Sequence, residues 1–209
     1  MSNAPPVTFR PARANDAEAA IPLILSSGPE AFNYVFANPH QSPVDFLRYA
    51  FPSGGGQFGF RNHVVGEIDG QVVAAGAGWT SATNLSFMLA AVGQFLPVFG
   101  PLGTAPVIIR GLRTEAVIRP PAAGEFYVGH LGVAPDHRGQ GIGEALIAHL
   151  LAIGATTGRS RAVLDVSVEN PRAQALYTRL GFRVTAERPS SLRRDAGYVP
   201  SHRRMERAV

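Results

Sequence analysis

Gly139, Gly141 and Gly143 stand at alternate positions between a β-patterned run, Glu125–Val133, and an apolar helical pattern from 142 to about 155. This strand–glycine loop–helix unit constrains the fold more than any other stretch, because a strand feeding a helix through a tight turn is the building unit of α/β architecture. The glycines remove side chains where the first turn of a helix exposes unpaired N–H groups, so an anion can lie against the main chain. The positive end of the helix dipole and the neighbouring Arg138 favour the same guest, and a pyrophosphate is its natural form. A plain tight turn would use the same glycines, so the loop alone leaves both readings open.

Composition narrows which phosphate carrier fits. All 19 positive residues are arginine, which excludes a P-loop of the NTPase type and lysine Schiff-base chemistry, both of which need a lysine. The chain has no cysteine, so disulfides, thiolate zinc sites and an acyl-cysteine intermediate are excluded as well. A dinucleotide fingerprint requires Gly-x-Gly-x-x-Gly, but after Gly139 and Gly141 the third position holds Glu144, and the pattern fails despite Asp165 downstream.

The remainder reads as one domain, 1–209, of 45% hydrophobic and 16% charged residues. Residues 7–11 form a first strand, and Asn15 or Asp16 is placed to cap a helix running to about 27. Helical stretches follow at 29–37 and 42–51, the latter with Ser42 as cap and Pro43 in its first turn. Two strand-like runs, His63–Ile68 and 71–79, flank Asp69-Gly70, the pair favoured in a two-residue hairpin turn. Residues 81–121 are an apolar helical insertion. Its 85–109 stretch has no charge and is long enough to cross a bilayer, but its prolines and glycines predict two short helices meeting at an elbow. A strand at 161–168, a helix at 171–180 and strands at 182–187 and about 198–207 complete the alternation.

A second segment lies downstream of the loop at the spacing a known family uses. Arg138-x-x-Gly141-x-Gly143 resembles the coenzyme A loop of the GNAT superfamily of N-acetyltransferases, and Asn170-Pro-Arg-Ala-Gln-Ala-Leu-Tyr177-Thr-Arg-Leu-Gly181-Phe182 resembles that superfamily's asparagine-to-tyrosine helix with its Gly-Phe exit. The resemblance covers about 125–188 closely and the earlier elements in outline; 81–121 has no counterpart in the minimal fold. It implies a mixed sheet of six to seven strands flanked by helices, with the helical insertion between the third and fourth strands.

It also implies roles. Main-chain groups of Leu131 and Val133 would hold the pantetheine arm of acetyl-CoA, the acyl donor, and the amides around Arg138, Gly139, Gly141, Gly143 and Glu144 would hold its pyrophosphate. Asn170 would contact the arm or cap its helix. Tyr177 would protonate the departing sulfur, although on its helix it also reads as a core aromatic. An amine acceptor is mostly protonated at neutral pH and needs a base. Glu125 is the candidate, on a strand face shared by alternation with Tyr127, Gly129 and Leu131; an exposed carboxylate at a strand start would look the same. His130 falls on the opposite face as a satisfied core histidine, and His137 reads as solvent-exposed. The mechanism implied is direct attack in a ternary complex, with a main-chain N–H near Val133 on the oxyanion and no metal.

The acceptor is a small-molecule or peptide amine that the sequence leaves unidentified. A coenzyme A-binding sensor or assembly module without catalysis is the alternative. The basic cluster Arg188, Arg193, Arg194, Arg203, Arg204 and Arg207 reads as a solvated edge with no nucleic-acid motif beside it. Residues 1–8 lack an apolar leader core, so the expected location is cytoplasmic, without a membrane partner. The insertion is left two roles, a lid over the acceptor cleft or a homodimer contact. The aromatics Phe32, Tyr34, Phe36, Phe46, Tyr49, Phe51, Phe58 and Phe60 read as an apolar cleft wall or as core.

Overall fold

The structure is a computed structural model that describes residues 6–209; residues 1–5, part of the segment read above for a leader, lie outside it. Strand β1 (Thr8–Pro11) leads into α1 (Ala17–Ser26), α2 (Pro29–Phe36) and α3 (Pro43–Ser53). Asp16 accepts the Arg13 amide at 2.7 Å but does not cap α1: its carboxylate is held by Arg10 at 2.7 and 2.9 Å. Ser42 does cap α3, in a reciprocal box with Asp45, and Gly54 ends that helix at φ 76°.

Strands β2 (His63–Ile68) and β3 (Gln71–Thr80) form the hairpin. Asp69 and Gly70, at φ 50° and 76°, take the two left-handed positions its turn demands. The insertion is α4 (Asn84–Glu115), broken at Gly100, whose φ of 66° and ψ of 176° are not helical. Pro101 explains the elbow, since a residue preceding proline is driven out of the helical region. On its inner side α4 buries Phe95, Phe99 and Val107. Its outer side leaves Leu85, Leu89 and Leu102 at 63, 64 and 94% exposure.

Strand β4 (Glu125–Val133), helix α5 (Ile142–Thr156), strand β5 (Arg161–Ser167), helix α6 (Pro171–Arg179), strand β6 (Arg183–Arg188) and strand β9 (His202–Ala208) follow, with a short hairpin of β7 (Arg193–Arg194) and β8 (Gly197–Tyr198) between the last two. Seven strands form one mixed sheet in the order β1-β2-β3-β4-β5-β9-β6, antiparallel except for β4 and β5. The fold class and the placement of the insertion are as expected.

Helices α5 and α6 cover one face of the sheet: Ile142, Leu146 and Leu150 pack on Phe126 and Val128, while Leu176 and Tyr177 pack on Leu164 and Phe182. Helices α1 to α4 cover the other, where Phe36 stacks on Phe46 at 4.4 Å and Phe95 lies 5.3 Å from Phe46. Phe32, Tyr34, Phe36, Phe46 and Phe51 are buried there as core; Phe46 and Phe51, both 0% exposed, stabilise the fold by about 1.5–3 kcal/mol each. Gly132 marks the closest approach of α1 to β4, since a Cβ there would sit 2.1 Å from the Leu23 carbonyl oxygen.

Candidate functional site

The sheet opens at its centre. β4 and β5 are paired only from Glu125, Phe126 and Tyr127 to Arg161, Ala162 and Val163. Beyond them β5 stays bound to β9 as far as Ser167, while β4 bends away on the β3 side. The bend has a visible cause. Ala77 pairs with Gly129 and Ala75 with Gly132, leaving His130 and Leu131 opposite Gly76 alone. His130 absorbs the extra residue at φ 54°, and a bulge of this kind turns the strand and strengthens its twist.

The β4 edge facing the opening lacks a partner strand. Ala134 N–H donates to the Val73 carbonyl at 2.8 Å, so by alternation the main-chain groups of Val133 and Leu131 face away from β3, into the gap. This is the kind of edge to which an extended amide-bearing arm can add.

At the end of that edge the chain turns through Pro135–His137 into the glycine loop. Gly139 and Gly141 sit at φ 76° and 82°, a region closed to most side chains, and a Cβ on either would meet nothing within 4 Å. The first main-chain bond of α5 is Ala145 N–H to Gly141 O at 3.0 Å. The six amides before it, Gly139, Gln140, Gly141, Ile142, Gly143 and Glu144, donate to no acceptor among the described residues. Converging free N–H groups at the positive end of a fifteen-residue helix make an anion cradle. Arg138 donates from Nε to the Val133 carbonyl at 3.0 Å. It therefore ties the loop to the strand and occupies the Val133 carbonyl, leaving the Val133 amide for a ligand.

Helix α6 borders the same opening. Asn170 Oδ1 accepts the Ala173 amide at 3.0 Å, so the capping role expected of it is present. Gly181 stops the segment at φ 86° and Phe182, 1% exposed, anchors it. Tyr177 lies between, its ring 6.3 Å from Phe182, and its hydroxyl finds no hydrogen-bond partner among the described residues. Burial pushes that phenol up to about 12. A Cβ on Gly143 would touch Leu176 and Val133 at 3.7 and 3.8 Å, so strand end, loop and α6 meet at one point.

A model of the acetyltransferase (GNAT) family matches residues 34–182. The chain belongs to this family. Among curated relatives, the 5-NmdU N-acetyltransferase of Pseudomonas phage PaMx11 is 44% identical over 57 residues, which is 27% of this chain and 39% of that protein. The N-acetyltransferase 8B of Homo sapiens is 36% identical over 90 residues, 43% of this chain and 36% of that one. The chain thus spans well under half the length of either relative. The N-acetyltransferase from Staphylococcus aureus Mu50 superposes at TM-score 0.68 with 17% identity, over 96% of this chain and 100% of that one, a likeness of fold.

Within this GNAT framework the structure brings together Leu131, Val133, Arg138, Gly139, Gly141, Gly143, Glu144, Asn170 and Tyr177, and sets Glu125 apart. Glu125 is 7% exposed, accepts Arg204 Nη2 at 2.7 Å and the Ala122 amide at 2.9 Å, and stands where β4 and β5 are still paired. Two residues along the strand separate it from Tyr127, the last position paired to β5, beyond which the sheet opens. Glu125, read above as the candidate general base, thus stands in a buried ion pair with Arg204. Arg204 also donates to Asp165 at 2.7 Å, Tyr127 Oη donates to the same carboxylate at 3.1 Å, and Arg188 reaches it at 3.3 Å. Burial raises Asp165 above the usual carboxylate range in spite of Arg204, and raises the Tyr127 phenol well above its ordinary value with the Asp165 charge adding to it. Arg204, 5% exposed, is thus no part of a solvated basic edge.

The bulge also corrects the face assignment. Leu131 packs with Phe126, Val128 and α5, opposite to the Tyr127 face on which it was placed. His130 turns to that Tyr127 face, its ring 5.4 Å from Trp79, which in turn stacks on Tyr127 at 4.7 Å. One inserted residue reverses the parity of everything after it. His137 is half-buried rather than exposed. Sequence reading also missed the approach of His130 to His63, 67 positions away, Nδ1 to Nε2 at 3.1 Å; no local pattern signals a contact at that separation.

Proposed function

We propose that the protein transfers an acetyl group from acetyl-CoA to a primary amine by direct attack within a ternary complex. The observation that carries the reading is the run of free amides from Gly139 to Glu144 at the end of the unpaired β4 edge. One continuous surface offers donors for a diphosphate and then main-chain groups for an amide-bearing arm, in the order coenzyme A presents them. Leu131 and Val133 bind the arm, and a main-chain N–H near Val133 faces the developing oxyanion, an interaction that can be worth about 3 kcal/mol.

In this reading Tyr177, packed on α6 against Phe182, meets the sulfur end of the arm. A phenol near 12 keeps its proton at every physiological pH, and giving it up fully to a thiolate whose acid lies near 8.5 runs uphill. Tyr177 therefore acts mainly by hydrogen-bonding the departing sulfur. Two relatives are themselves called N-acetyltransferases, in keeping with a nitrogen acceptor.

Calorimetry with acetyl-CoA tests the reading. Wild type binds, and Gly141→Val, which forces a β-branched residue to φ 82°, loses affinity by at least about tenfold. Equal affinity in the two proteins would sink the assignment. Coenzyme A release over a panel of small amines and peptides then finds the acceptor; binding without release on any amine marks a binding module instead.

A further inference from the structure

His130 is the strained residue of the site, a non-glycine at φ 54°. Left-handed conformers at such residues cluster where function requires them. It immediately precedes the arm-binding residues Leu131 and Val133 and stands where β4 leaves β5. Its ring is half-buried on the face opposite α5, stacked on Phe58 at 5.0 Å.

The hydrogen bonds settle where its proton is. His63 Nδ1 lies 2.9 Å from the Gly59 carbonyl, which can only accept, so Nδ1 carries the His63 proton. In the neutral ring Nε2 is then an acceptor, and the 3.1 Å contact to His130 Nδ1 requires Nδ1 to be the donor. The His130 lone pair is left on Nε2, which has no hydrogen-bond partner among the described residues. Arg159 Nε is the one fully enclosed side-chain nitrogen without a partner among them, so His130 Nε2 keeps contact with solvent.

We propose that His130 Nε2 is the general base of the reaction, with His63 as its positioning residue; this rests on the acetyl-transfer reading above. The acceptor reacts as its neutral amine, its ammonium proton having passed to solvent, and its lone pair forms the C–N bond while the carbonyl pair moves to oxygen. His130 Nε2 takes the N–H proton of the tetrahedral adduct, which is far more acidic than a free ammonium. The carbonyl re-forms, the C–S bond breaks, coenzyme A leaves as thiolate beside Tyr177, and the imidazolium gives its proton to solvent. The groups packed around His130 are Phe32 of α2, Phe58, His63 of β2 and Trp79 of β3. His63 is the titratable one among them, and Tyr127 stacks on the same Trp79. Burial holds the His130 ring well below the ordinary imidazole range, with His63 adding to it, and brings His63 to about 4. Both rings are neutral at neutral pH.

The test uses the full chain and three readouts. Nitrogen NMR of histidine-labelled protein is expected to show His130 protonated on Nδ1 and bare on Nε2, and His63→Leu to mix the His130 tautomers; a protonated Nε2 in wild type overturns the proposal. His130→Asn accepts a positive φ and keeps an N–H for His63 but carries no base. On the amines that wild type acetylates, its kcat falls by about 10²-fold with acetyl-CoA affinity unchanged, whereas an undiminished kcat overturns the proposal. In His130→Gly, which also accepts the backbone, added imidazole restores part of the rate; the same imidazole leaves Tyr177→Phe unchanged. Failure of wild type to bind acetyl-CoA would overturn the acetyl-transfer reading instead, and the NMR result would stand apart from it.

Discussion

The two ends of β4 carry opposite chemistry. At the Glu125 end each charged group has a partner: Glu125 and Asp165 share Arg204, Tyr127 and Arg188 complete the Asp165 shell, and the strand is paired on both sides. At the Val133 end the partners run out: six amides, the Tyr177 hydroxyl and the His130 Nε2 have none among the described residues, and the outer strand edge has only Arg138 on the Val133 carbonyl. The first amides of a helix have no partner within it and are open to a ligand. A strand that is complete at one end and left open at the other therefore points to what it binds more clearly than any single side chain does.

The hardest way to break this contrast is at the complete end. Arg204→Leu removes the closest counter-charge of Glu125 and Asp165, leaving Arg161 at 3.7 Å and Arg188 at 3.3 Å, and stability should fall by about 3 kcal/mol, read from urea unfolding. A loss under about 1 kcal/mol would mean that water reaches the carboxylates. Glu125→Gln should likewise cost stability while kcat of the remaining folded enzyme holds; a collapse of kcat would return Glu125 to the chemistry.

Next in size is acid sensitivity. His63, 2% exposed, has a folded pKa lowered from 6.5 to about 4 by burial. The folded state thus binds its proton less readily than the unfolded chain, and the associated stability is present above about 6.5 and lost as pH falls from there toward 4. Its ceiling is about 3 kcal/mol, at 1.36 kcal/mol per unit. His63→Leu should flatten thermal stability against pH across that window, and an unchanged slope would assign the acid loss elsewhere.

At the open end, Tyr177→Phe should slow coenzyme A release by no more than about 10²-fold, the low end of general-acid effects, with acetyl-CoA affinity retained. Complete loss of activity would show that the leaving sulfur needs a full proton. The smallest effect belongs to Asn170→Ala, which removes the α6 cap at about 1 kcal/mol; a much larger fall in acetyl-CoA affinity than in stability would give Asn170 a second role as ligand.

What the chain shows locally was legible early. The β4–loop–α5 unit, the Asn170 cap, the Gly181 stop and the Asp69-Gly70 hairpin are set by residues within a few positions of one another, where glycine conformation, capping and apolar period act directly. The break in α4 was legible too, because proline acts on the residue before it. Asp16 shows the limit of such reading: it has the residue type of a helix cap, and Arg10 claims its carboxylate instead.

The sequence alone determined the class of fold and the place of the glycine loop with its unpaired amides, since both follow from short-range periodicity and from glycines that need no distant partner. Tertiary structure alone decided which polar groups are used up. Arg204 reaches Glu125 across 79 positions and His63 reaches His130 across 67, and one bulged residue at His130 reversed the faces that strict alternation assigned. Whether a carboxylate or an imidazole is free to act depends on what folding brings against it, and a buried charge or lone pair is claimed by whichever partner lies within about 3 Å, however far away in the chain.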